Sequence, residues 1–147
     1  MILSSFYAFL SSLGFGVLFN IRGKNLIIGS IGGGLSWFTY LLIGKLQPSL
    51  VFSLFVASLV GSIYSEIMAR LRKSPVTIFI ILAIIPLVPG SGMYYTTLEA
   101  VKGNFDASLS KGVVTLFNAG AIAIGIVFVS SISTILKKIK KIKKIKK

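Results

Sequence analysis

Glu66, Glu99 and Asp106 are the only acidic side chains in the chain, and neither histidine nor cysteine accompanies them. Paired-carboxylate hydrolysis and carboxylate-caged cations would have to draw on those three alone. Thiol chemistry, disulfides, haem and the usual zinc or copper sites lack ligands altogether. The expectation is a protein that is not an enzyme, with no catalytic residue, no metal and no cofactor. The groups left for chemistry are backbone amides and carbonyls, hydroxyls and carboxamides.

Those groups concentrate in IIPLVPGSGMYYTTLEA, from Ile84 to Ala100, where two prolines, two glycines and a serine fall within seven residues of an apolar run. Pro86 and Pro89 lack backbone donors and clash with the preceding turn, which is expected to free the carbonyls of Leu82 and Ile85. Gly90 and Gly92 admit backbone conformations that other residues resist. Ser91 is placed to cap a second half-helix over 92–101. From residue 76 to residue 85 is roughly 15 Å of helix, so the break is expected near a bilayer midplane. Unwound backbone at that depth is tolerated where it is buried or lines a polar cavity. The start of the second half presents free N–H groups to an anion, and the end of the first presents carbonyls to a cation. Pro86, Pro89, Gly90, Ser91, Gly92 and Tyr94 are therefore the candidate substrate-binding residues. A proline kink that only shapes packing is the plainer alternative.

The surrounding elements must supply the membrane. The chain has 147 residues, 54% hydrophobic and 13% charged, with a mean hydropathy of +0.92. Such a composition leaves too little polar surface for a water-soluble domain. Hydropathy gives an all-α integral membrane protein with five transmembrane helices: 2–19, 26–44, 50–69, a fourth from 76 that contains the Pro/Gly break, and 112–136. Residues 1–136 form the membrane domain and 137–147 a lysine-rich cytoplasmic tail. No basic region precedes the first apolar run, which therefore does not read as a cleavable signal. Thirteen of the sixteen basic residues follow spans one, three and five. The positive-inside rule then places the amino terminus outside and the carboxyl terminus in the cytoplasm. The net charge of +13 reads as orientation and attraction to anionic lipid through the tail, with no nucleic-acid partner. Leu136, Ile139, Ile142 and Ile145 form an apolar stripe that could lie on the leaflet, or the tail is a solvated anchor.

Isolated polar residues carry paired readings. Asn118, inside span five, is expected to hydrogen-bond between helices or to line the substrate pathway. Asn20 caps span one or lines a cytoplasmic vestibule. Glu99 either couples protons beside the break or sits at the outer interface near Lys102. Glu66 reads as an ion pair with Arg70 one turn later. Asp106 reads as a solvated loop residue. Gly29 and Gly33 share a helix face and allow close approach to a neighbour, or line a substrate path.

The order GFGVLFN and GSIGGG early, IPLVPGSGMYYT in the middle and LFNAGAIAIG late resembles the threonine/serine exporter (ThrE) family, in particular its small carboxyl-terminal-half subunit. The P-x-x-P-G of Pro86, Pro89 and Gly90, with Tyr94 downstream, is the most specific element. The resemblance implies an inner-membrane secondary exporter built from two five-span halves. Its partner would be a second subunit resembling the amino-terminal half, and its substrate threonine, serine or a small organic acid. A pore-forming, holin-like protein or a membrane scaffold is the rival class.

Overall fold

The computed structural model describes residues 1–47 and 49–145, and among these every regular element is helical. Six α-helices run in order: α1 Ile2–Leu18, α2 Lys24–Leu46, α3 Leu50–Arg72, α4 Val76–Ile84, α5 Gly90–Val101 and α6 Phe105–Ile145. A 3₁₀ turn, Ile85–Leu87, lies between α4 and α5. The packing order is α1, α2, α3, α6, with α4 seated against α2 and α3 and α5 lying along α6.

Helix ends obey local chemistry. Ser49 caps α3 by accepting the Phe52 amide at 3.4 Å. Asn20, Lys73 and Gly103 take left-handed conformations, with φ of 58°, 50° and 80°. Each closes its helix with the paired reverse bonds of a Schellman motif, as in Ile21 N–H to Gly16 C=O and Asn20 N–H to Val17 C=O.

The core is built from small residues. Ser12, Ser30, Ser36, Ser58, Ser62 and Ser65 are fully buried, whereas Leu18, Leu71, Leu116 and Phe117 are exposed. This arrangement suits a solvent as apolar as leucine, where close backbone approach replaces the hydrophobic drive. The hydroxyls of Ser30, Ser36, Ser53 and Ser65 bond to carbonyls one turn back, so they spend little volume and need no distant partner.

The helix that profits is α4. Phe79, Leu82 and Ala83 are wholly buried. Leu82 projects into a notch of three glycines: a Cβ on Gly16 would meet its Cδ2 at 3.1 Å, one on Gly29 its Cδ1 at 2.5 Å, and one on Gly33 its carbonyl oxygen at 2.8 Å. The shared face of Gly29 and Gly33 thus serves packing against α4.

α2, α3 and the Phe105–Leu136 part of α6 are long and apolar enough to cross a membrane, and α4 with α5 makes a fourth candidate bent by 58°. α1 is apolar but has 17 residues. α6 starts seven residues before its expected point and continues past 136 without a break. Asp106 accordingly lies in the first turn of α6, where a carboxylate favours the helix dipole, and not in a loop. Leu136 and Ile139 of the expected tail stripe are exposed. The side chains of Ile142 and Ile145, with Lys146 and Lys147, lie outside the described residues.

Replacing Gly33 with alanine forces a methyl against the Leu82 carbonyl oxygen and Ser12 Cβ, neither of which a side-chain rotation can move away. The expected loss is about 1–3 kcal/mol, read as a lower unfolding midpoint in detergent. Gly14→Ala, with open space at its Cβ position, should hold or gain about 0.5–1 kcal/mol. Equal midpoints for the two variants would refute the notch.

Candidate functional site around the helix break

Pro86 cannot donate to the Leu82 carbonyl, and Pro89 cannot donate to that of Ile85. The chain answers by tightening: Val88 N–H donates to the Ile85 carbonyl at 3.3 Å, closing the 3₁₀ turn. The expected freedom of the Ile85 carbonyl is therefore corrected, because a 3₁₀ bond replaces the missing α bond. Gly90 N–H donates back to the Val88 carbonyl at 2.7 Å, and α5 begins at Gly90. Ser91 is then already inside the helix, and the cap position belongs to Pro89, which has no side-chain acceptor. The capping role expected of Ser91 is overturned by that earlier start.

The consequence is an open helix end. Met93 N–H reaches the Pro89 carbonyl at 3.1 Å, but the amides of Ser91 and Gly92 meet no backbone acceptor among the described residues. Both residues line a cavity of about 560 Å³. Its walls come from Trp37 and Tyr40 of α2, Leu54 of α3, the Pro86–Pro89 turn, and Lys111, Thr115 and Asn118 of α6. A larger cleft between α3 and α6 is lined almost wholly by apolar side chains such as Phe52, Phe55 and Phe117, and offers no chemistry.

Two polar groups define the cavity. Asn118 is 7% exposed, and its Oδ1 has no hydrogen-bond donor. The interhelical bond expected of it is absent among the described residues for that atom. Lys111 pairs with the Glu99 carboxylate at 2.9 Å and lies 5.5 Å above the Tyr95 ring. Lys111, Thr115 and Asn118 recur at four and three residues along α6, so one helix face delivers all three.

The structure therefore brings together Pro86, Pro89, Ser91, Gly92 and Asn118 around one space. Gly90 and Tyr94 are outside its lining; Tyr94 is exposed and meets Tyr95 edge-on with ring centroids 5.3 Å apart. Tyr95 is the tyrosine in the wall. Asn20 is distant in role: it ends α1, and its Oδ1 accepts from Arg22 Nε at 2.8 Å. Glu99 sits near the end of α5, held by Lys111 and by Asn104 Nδ2 at 3.0 Å. Its ion-pair partner is Lys111 of α6. Glu66 is buried as well as paired: Ser133 Oγ donates to it at 2.6 Å, and Arg70 stands 3.5 Å away and donates to the same Ser133. Lys111, Thr115 and Trp37 escaped the sequence reading. The α6 pair could have been found by placing residues 111, 115 and 118 on one helical face.

The sequence model of the family described as "Threonine/Serine exporter, ThrE" matches residues 4–132. No curated protein and no solved structure matches the chain.

The seating of α5 on α6 is directly checkable, because the chain has no cysteine of its own. A Cβ on Gly112 would lie 3.2 Å from Thr96 Cγ2, within reach of a disulfide. Thr96→Cys with Gly112→Cys should cross-link under mild oxidant, read by loss of thiol alkylation and intact mass. Two thiols that both stay open to alkylation would displace α5 from this position, and the cavity with it.

Proposed function

The chain belongs to the threonine/serine exporter family, and from that premise we propose that it is one half of a two-component secondary exporter for small amino acids. The observation that carries this reading is the cavity at the broken helix, with two unpaired amides, a buried carboxamide and a lysine around it. Broken helices at membrane depth are a recurrent way to hold small charged solutes.

On this reading the five spans are α1, α2, α3, the α4–α5 pair and α6. The 17 residues of α1 cover about 26 Å, at the short end of what crosses a bilayer. The distribution of basic residues supports an amino terminus outside and a carboxyl terminus in the cytoplasm. The lysine-rich end of α6 then meets anionic lipid of the inner leaflet. The partner is a second subunit resembling the amino-terminal half of the family, and it closes the open side of the cavity. α5 supports this: it has no buried residue, and Tyr94 and Tyr95 are exposed along it. The driving force is the membrane potential or an ion gradient, in keeping with a sequence that carries no phosphate-binding loop. Glu99, through Lys111, is the carboxylate connected to the cavity.

Pro89→Ala with Gly90→Ala restores an amide at the break and raises helix propensity across it. Export of threonine or serine from loaded cells of the native host should fall by about tenfold or more, with protein abundance unchanged on immunoblot. Wild-type efflux from the double variant would remove the break from the mechanism. Leakage of unrelated dyes, independent of any partner, would instead point to a pore former.

A further inference from the structure

We infer that Lys111 recognises the carboxylate of the transported solute, and that Glu99 holds its place as a tethered competitor which the solute displaces. This deepens the reading of the cavity as a substrate chamber and rests on it.

Among the described residues that line the cavity, Lys111 alone carries a charge. Its ammonium lies 5.5 Å from the centre of the Tyr95 ring, and Tyr95 lines the same space. A lysine ammonium has three donors. One meets Glu99 Oε1 at 2.9 Å, and no other acceptor is bonded to it among the described residues. The lysine side chain is 43% exposed, which leaves room for a further oxygen. A carboxylate entering the cavity therefore meets one full positive charge, with donors still open.

The pair that occupies this cation is built to be exchanged. Glu99 is outside the cavity lining and reaches the lysine from α5, twelve residues away along the chain. Ion pairs with a partner this exposed are among the weaker contacts of a fold. The glutamate also has a second holder, because Asn104 Nδ2 donates to its Oε2 at 3.0 Å. Once Lys111 turns to another carboxylate, Glu99 keeps that bond. α5 stays attached as well: Ser108 Oγ donates to the Thr96 carbonyl at 2.8 Å. The helix buries none of its own side chains, so the exchange uncovers none of them.

Tethering sets the terms of the competition. Glu99 is joined to Lys111 through the short turn between α5 and α6. A group linked so closely competes at an effective concentration on the order of millimolar. Scarce solute leaves Glu99 in place, and abundant solute replaces it. The same pair read as a mere strut makes the opposite forecast, because a strut that loses its charge can only loosen the site.

The test follows uptake of labelled threonine into energised inside-out vesicles from the native host, with the partner subunit present and abundance checked by immunoblot. Glu99→Gln removes the competitor and should lower the KM for threonine by about threefold or more. Lys111→Gln should raise it by about tenfold or more. Lys111→Arg keeps the charge and should stay within about threefold of wild type. Threonine methyl ester, which has no carboxylate, should compete about tenfold more weakly than threonine in wild type. In Lys111→Gln the two should compete equally. A KM raised or unchanged in Glu99→Gln would overturn the competitor. An ester as potent as threonine in wild type, or still penalised in Lys111→Gln, would overturn Lys111 as the partner of the carboxylate. Should Lys111→Gln fail to accumulate, the direction of the Glu99→Gln shift and the wild-type ester comparison decide. Wild-type vesicles that take up neither threonine nor serine would instead sink the exporter reading, and this inference with it.

Discussion

The contact that the rest of the molecule depends on is the one between α2 and α4, where the Cα of Gly33 packs against the Leu82 carbonyl. Leu82 is the residue whose helical bond Pro86 abolishes, so a close helix crossing and the end of the α4 ladder coincide. A side chain at Gly33 would push α4 away from α2, and with it the adjoining 3₁₀ turn. The serines and glycines of α1, α2 and α3 have their value through this approach. They let three helices close on a nine-residue segment too short to hold itself in place by its own hydrogen bonds.

α6 organises the polar chemistry along its length. At one end Lys111 fixes Glu99, at the other Ser133 donates to Glu66, and Asn118 lies between them. Two of the chain's three carboxylates are thus tied to the same helix from two different neighbours, α5 and α3. Their settings differ. Glu66 is enclosed between α3 and α6 beside an arginine of its own helix, so its charge is compensated on the spot. The Glu99–Lys111 pair joins α5 to α6 directly, and its lysine belongs to the wall of the cavity.

Much of the fold was legible in the sequence, for reasons that particular elements make clear. Apolar runs bounded by basic residues mark α2 and α3 within a few residues, since length and hydropathy are local properties. The break was legible because proline removes a donor wherever it stands. The backbone geometry just beyond the break was not. Whether Ser91 caps α5 depends on where the first helical residue falls, and the bond from Gly90 to Val88 sets that two residues earlier than the glycine pattern implies. The early start of α6 was hidden because DASLSK is polar, and polarity alone does not distinguish an exposed helical turn from a loop. The cavity residues on α6 were harder still. Lys111 and Thr115 acquire meaning only from the tertiary placement of α5 against them, and Glu99 takes its partner from that same placement.

The two halves of the broken span are anchored very differently. α4 is locked on three sides, whereas α5 buries none of its side chains and rests along α6 alone. Turning α5 about the Val88–Pro89 link would uncover no buried side chain of α5 itself, so the hinge has a stiff arm and a looser one. Work done on the loose arm is not opposed by the packing that keeps the protein folded. Substitutions in the glycine notch should then register as changes in folded lifetime, and substitutions along α5 as changes in turnover. The bent segment separates endurance from speed within one pair of joined helices.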